Sequence, residues 1–343
     1  MRPSSSSRLF GVGIAGAKLL PQERDILERD PPRAVILFRR NVESFEQLRE
    51  LTGEIQRLPG RPLLCVDQEG GPVDRLRDIL SPSISFRDAA RLGEARLAGE
   101  LQGEACARLG FDVDLAPVLD RLLPGASEHV LKDRCASADP DEIATAAADF
   151  LRGLAARGVG GCVKHFPGLG RADLDTHKEL PRIPNDPEEE ERDLAPFRAT
   201  MEEARAVMVS HAAGPEGRPA SLSPEIASEL LRRTLGFTGA VFSDDLEMGA
   251  LSAFGELPER CAQACRAGCD LLFVCSRIGI YPDCVSAVEK EVPLGRREEA
   301  AARLDSYAHH LRDLRSAAKF AERPLAALVA DITDLRSRAS SAG

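Results

Sequence analysis

The sequence predicts an α/β protein built as one (β/α)8 TIM barrel, and three observations carry that expectation. Eight short apolar runs alternate with amphipathic stretches that have helix start and stop signals. The runs are mostly continuous in apolar character rather than alternating, as in parallel strands buried on both faces. Five of the runs end in titratable residues, which a barrel gathers on one rim because the C-terminal ends of its strands share a face. An open, doubly wound sheet shows the same alternation, and the strand count alone leaves it open.

The expected strands cover residues 9–14, 34–38, 63–66, 113–116, 161–163, 206–210, 240–243 and 271–275. Between them the helix signals are local. Ser223-Pro224-Glu225 supplies a Ser cap and a Pro at the first helical position, opening a helix that stops near Gly236. Asp139-Pro140-Asp141-Glu142 opens another that runs to about Arg157, before Gly158. Residues 187–204 form a third, with an acidic first turn that suits the helix dipole, and residues 258–268 a fourth. Length alone favours about two domains at roughly 150 residues each, but barrels run far longer as one unit. No linker interrupts the alternation. Residues 1–320 are therefore expected to be one catalytic barrel, and 321–343 a peripheral helix with a frayed, Arg- and Ser-rich end.

Composition narrows the function. The net charge of −10 argues against a nucleic-acid partner. Trp is absent and Tyr occurs twice, which disfavours an aromatic groove for long polymers. No run approaches the ~20 apolar residues of a membrane span, and the start Met1-Arg2-Pro3-Ser4 leads into no apolar stretch of signal-peptide length. A cytoplasmic protein with no membrane partner is expected, and a monomer. Nine cysteines, an odd number, sit largely in apolar runs and read as buried free thiols. Cys261, Cys265 and Cys269 recur every four residues, which suits packing better than metal binding, since no C-x-x-C pair or nearby His accompanies them.

Scarce residue types crowd together. Lys164, His165, His177 and Lys178 hold two of the six Lys and two of the six His within one short stretch. Strand ends deliver Asp67-Gln68-Glu69, Asp120, Lys164-His165, Ser210-His211 and Ser243-Asp244-Asp245 to the same expected rim. Any one of these is ordinary loop polarity; together they describe a polar pocket. The opposite rim is expected to lack such a cluster, offering segments such as Arg157-Gly158-Val159-Gly160. That asymmetry favours an enzyme over a structural barrel.

The same residues carry a family resemblance. Val66-Asp67-Gln68-Glu69-Gly70-Gly71, Lys164-His165-Phe166-Pro167-Gly168, Asp175-Thr176-His177 and Phe242-Ser243-Asp244-Asp245-Leu246-Glu247-Met248 look like hallmark segments of family-3 glycoside hydrolases. They resemble most the single-domain, NagZ-type β-N-acetylhexosaminidases. Segments 34–41 and 115–120 match in the same order, so the resemblance spans roughly residues 10–290.

The resemblance implies a retaining double displacement. Asp244 would be the nucleophile that forms a glycosyl-enzyme, later hydrolysed by water. Position alone does not separate it from Asp245. His177, paired with Asp175, would replace the usual second carboxyl as acid and base; imidazole titrates near neutrality and suits both steps. Gly168 and Gly170 precede this pair as candidate hinges for a loop expected to close over bound sugar. Asp67, Arg75, Arg134, Lys164, His165 and His211 would bind substrate, as acceptors and donors for sugar hydroxyls. No cofactor or metal is implied.

Leu169 stands where many relatives have His, and Pro72 where many have Arg; both departures bear on loop conformation and on the leaving-group side of the pocket. The chain as given stops after one barrel, whereas larger relatives, including β-glucosidases, add a sandwich domain. With the Asp-x-His segment, this favours terminal GlcNAc on a peptidoglycan-derived fragment in a bacterium. Other readings stay open from sequence: a β-glucosidase-like hydrolase, a phosphorylase that passes the sugar to phosphate, a noncatalytic muropeptide sensor, and a zinc hydrolase using His165, His211 and Asp67.

Overall fold

The computed structural model describes residues 5–124, 131–172, 180–214, 217–318 and 323–341. The strands are β1 (Phe10–Gly13), β2 (Ala34–Leu37), β3 (Leu63–Val66), β4 (Gln68–Gly70), β5 (Val73–Asp74), β6 (Val113–Asp114), β7 (Gly160–Gly161), β8 (Val163–Phe166), β9 (Ala206–Val209), β10 (Ala240–Asp245) and β11 (Leu271–Val274). The main sheet runs β7-β6-β3-β2-β1-β11-β10-β9-β8, and its ladders are parallel. Its two ends, β7 and β8, are separated by Cys162 alone. They are two halves of one barrel strand, the first paired to β6 and the second to β9. This joins the sheet into an eight-stranded (β/α)8 ring in chain order and disposes of the open-sheet alternative.

All eight expected strands are present, within a few residues at each end. The fifth is the least regular, because the expected 161–163 run lies across its break. The β4–β5 antiparallel pair is an addition; sequence read it as the loop after the third strand. Among the helices, Pro187–Ala204 lies where expected, capped by the Asp186 carboxylate, and Pro140–Ala156 is capped by Asp139. The stretch after Ser223 forms a π-helix, Glu225–Thr234, and a helix spans Leu257–Ala267. The C-terminal helix Leu325–Ser341 buries Leu328, Ile332 and Leu335. All nine cysteines are buried free thiols, consistent with packing.

Two outer helices, Ala95–Arg108 and Pro140–Ala156, touch backbone to backbone. A Cβ at Gly99 would stand 2.2 Å from the Phe150 carbonyl oxygen, and one at Gly153 would stand 2.4 Å from that of Arg96. Only glycine allows this approach.

The N-terminal rim corrects the expectation of a rim without charged clusters. Asp270, fully buried just before β11, accepts from Arg232 (2.5 Å), Arg296 (2.9 Å), Arg303 (3.4 Å) and the Val241 amide (3.0 Å). Arg33 pairs with Asp305 at 2.6 Å, and Arg315 with Asp112 at 2.9 Å. Arg303, Asp305 and Arg315 all lie on the helix Leu294–Ala317. It thus crosses the N-terminal end of the barrel and ties down the starts of β2, β6 and β11. These pairs join one element to another, which makes them structural. The rims differ in what their charges do, not in whether they have any.

Candidate active site

At the C-terminal ends of the strands lies a cavity of about 320 Å³, lined by Asp67, Glu69, Arg75, Arg134, Lys164, His165, Asp244 and Asp245 among others. A larger cleft, about 660 Å³, runs between outer helices, but the side chains that sequence singled out converge in the smaller one.

Asp244 reaches the cavity through a bulge. On β10, Phe242 pairs with Leu271 while Asp245 pairs with Phe273, so β10 advances three residues against two. Bulges of this kind re-aim a side chain next to a site. The Ser243 hydroxyl accepts from the Phe273 amide at 3.0 Å, and the Leu246 amide donates to the Phe273 carbonyl at 3.1 Å, holding both sides of it.

The two neighbouring aspartates then separate physically. Burial works to raise the Asp244 pKa, but His211, His165, the Asp245 amide (2.8 Å from Oδ1) and Lys164 together hold it below the ordinary carboxylate value. Burial also pushes His211 toward its neutral form, whereas Lys164 and the amide act on Asp244 whatever the state of that ring. Asp245 goes the other way. Burial, with the Glu247 and Asp244 carboxylates beside it, pushes it up to about 7. Asp244 is therefore the residue kept ionised, as a nucleophile requires.

Across the cavity stands a chain of paired charges. Lys164 Nζ lies 2.7 Å from Asp67 Oδ1 and 2.6 Å from Glu69 Oε1. Arg134 grips Glu69 with Nε and Nη2 at 2.8 and 3.0 Å, and Nη2 reaches His165 Nε2 at 3.4 Å. Arg75 approaches Asp67 at 3.8 Å. Burial disfavours the charges on Lys164 and Glu69, yet the pairing prevails. Lys164 is held well above its usual range, and Glu69, between Arg134 and Lys164, well below. The β8–β9 pairing shifts register between Val163 and Phe166, and the successive residues Lys164 and His165 both line the cavity. The Lys164–His165 and Phe166–Pro167 peptide bonds are cis.

Asp67, Arg75, Arg134, Lys164, His165 and Asp244 thus meet where sequence placed them. His211 does not. It is fully buried and absent from the cavity wall. Its Nε2–H donates to the Asp245 carbonyl at 2.8 Å, and its Nδ1 accepts from the Ser221 hydroxyl at 2.7 Å. It props β10 from behind, so its expected role as a substrate ligand is corrected. Asp175 and His177 lie outside the described residues. Gly170, read as a hinge, has a packing reason: a Cβ there would meet the Arg121 carbonyl at 2.3 Å. Sequence missed Glu69 as the hub between Lys164 and Arg134. Its place in the Asp67-Gln68-Glu69 run was the available signal.

Comparison with known proteins agrees with this geometry. A family model described as the glycosyl hydrolase family 3 N terminal domain matches residues 14–313. A beta-hexosaminidase of Xanthomonas oryzae pv. oryzae is 37% identical over 305 residues, covering 85% of this chain and 89% of the relative. One of Idiomarina loihiensis is 34% identical, covering 84% and 89%. The crystal structure of native NagZ from Neisseria gonorrhoeae superposes with a TM-score of 0.80 at 28% identity, covering 98% of this chain and 100% of that one. With the barrel, the carboxylates on β10 and the buried polar side chains gathered on one rim, these matches make the chain a glycoside hydrolase belonging to family 3.

Proposed function

We propose that the protein is a retaining, exo-acting β-N-acetylglucosaminidase, removing terminal GlcNAc through a glycosyl-Asp244 intermediate. The observation that carries this is Asp244: an ionised carboxylate, aimed by a bulge into a small pocket whose opposite wall is made of Asp67, Lys164, Arg134 and His165. Such a wall presents donors and acceptors to hydroxyls, and the pocket suits one sugar rather than a long glycan. The relatives' shared name, beta-hexosaminidase, supports the amino-sugar reading. So does a structural neighbour, NagZ of N. gonorrhoeae in complex with N-trifluoroacetyl-D-glucosamine, at 29% identity and TM-score 0.79.

In this mechanism Lys164 and Asp67 orient the sugar, Asp244 attacks the anomeric carbon, and the C–O bond to the leaving group breaks as that oxygen gains a proton. By the resemblance, His177 supported by Asp175 gives that proton and then takes one from the water that releases the sugar. Peptidoglycan-derived muropeptides in the cytoplasm are the substrate and location we favour, resting on the same resemblance. The test is 1H NMR of products from nitrophenyl GlcNAc and nitrophenyl glucose. β-GlcNAc as first product, with little glucose released, supports the reading. An α-anomer, a sugar phosphate formed in phosphate buffer, or preference for glucose overturns it.

A further inference from the structure

We propose that Asp120 is a positioning residue that sets which nitrogen of His165 carries the proton and, with its other oxygen, fixes the turn forming the adjacent cavity wall. The consequence for sugar binding rests on the glycosidase reading above; the proton assignment does not.

Asp120 lies just beyond β6, on the backbone that runs beside β8: the Leu119 amide donates to the Lys164 carbonyl at 2.6 Å. Its side chain is almost wholly buried and both oxygens are engaged. Oδ2 stands 2.6 Å from His165 Nδ1. Oδ1 accepts the Leu169 amide at 2.6 Å. Leu169 is itself a cavity-lining residue.

A carboxylate accepts and does not donate, so the bond to Nδ1 places the proton there. In the neutral ring Nε2 is then a bare acceptor. It faces Arg134 Nη2 at 3.4 Å, a group that can only donate. The two ends of the ring therefore agree on one tautomer. A sugar hydroxyl that takes the place of Arg134 at Nε2 would donate to it. This logic matches the aspartate of a Ser-His-Asp triad, which holds its imidazole in one tautomer and orientation, applied here to a binding histidine.

Asp120→Asn keeps the shape and removes one acceptor. The Leu169 amide can only donate, so the Asn oxygen must serve it. The Asn NH2 then faces His165 Nδ1, which must accept. The proton moves to Nε2, and Nε2–H confronts Arg134 donor to donor. A residue that only filled space would leave the tautomer unchanged.

The experiment is long-range 1H–15N correlation of the 15N-histidine-labelled protein at pH 8, with His165 assigned by its loss in His165→Asn. It is paired with kcat/KM on nitrophenyl GlcNAc and calorimetric binding of GlcNAc. The expected result is protonated Nδ1 in the wild type, protonated Nε2 in Asp120→Asn, and kcat/KM lower by about 100-fold in the variant. Protonated Nε2 in the wild type overturns the proposal, and that reading needs no variant to fold. An unchanged tautomer in Asp120→Asn, or a changed one with kcat/KM and GlcNAc binding within about 3-fold, overturns it too. A wild type without GlcNAc-glycosidase activity would instead sink the functional reading, while the spectrum still judges Asp120.

Discussion

Arg134 holds Glu69 through both carboxylate oxygens, at 2.8 and 3.0 Å, and Glu69 in turn holds Lys164 at 2.6 Å. A buried acid thus fixes the two cations expected to meet the sugar. Removing one member of such a pair leaves an uncompensated charge out of water. Glu69→Ala should cost about 3–5 kcal/mol of stability, read by urea denaturation. Glu69→Gln, which keeps the volume, should raise KM about tenfold, the loss of one or two polar contacts, with a smaller change in kcat. Unchanged KM in Glu69→Gln would remove Glu69 from the binding machinery.

The same pairing has a pH signature. The folded-state pKa of Glu69 is depressed, so its contribution is fully present above the unfolded value of about 4.3. It is lost as pH falls through the lower folded value. Glu69→Gln should therefore lose less stability than the wild type on going from pH 5 to strongly acidic solution, as measured by thermal melts. Parallel melting curves would contradict this.

Asp245 predicts the opposite slope. Its folded pKa is raised to about 7, above the unfolded value of about 3.9. The folded state then binds more protons than the unfolded one in that window, and stability falls as pH rises from about 4 to 7. Asp245→Asn keeps an oxygen for the Glu247 amide, now 3.1 Å from Oδ1. It should gain stability relative to the wild type across that range and hold the gain above pH 7. A constant difference from pH 4 to 8 would contradict the raised value.

Asp270 is a structural counterpart at the other end of the barrel. It gathers Arg232, Arg296 and Arg303 without contact with the cavity. Asp270→Ala should lower stability by about 3–5 kcal/mol while KM at 25 °C stays near wild type. A large KM change with intact folding would refute this separation of roles.

What sequence revealed and what it did not follow from the range of the interactions. The strands were legible because apolar runs are local, and Asp67, Lys164 and Asp244 because they end those runs. The β4–β5 pair was not, since Gln68-Glu69-Gly70 has no alternation to distinguish it from a loop. The charge on the N-terminal rim was missed because Asp270 takes its partners from three segments distant in the chain. His211 looked like a ligand by its place at the end of β9; only the distances to Ser221 and Asp245 show it engaged behind the wall. Asp244 and Asp245 were alike by position and told apart only by the family resemblance; burial and neighbouring charges supply the physical difference.

The most direct measurement is peptide mass spectrometry of the enzyme inactivated by a slow 5-fluoro glycosyl fluoride of GlcNAc. One adduct is expected, on Asp244, absent in Asp244→Asn, whose turnover should be at least about 10⁴-fold lower while it still binds GlcNAc. An adduct on Asp245, or none despite turnover of aryl GlcNAc glycosides, would contradict it.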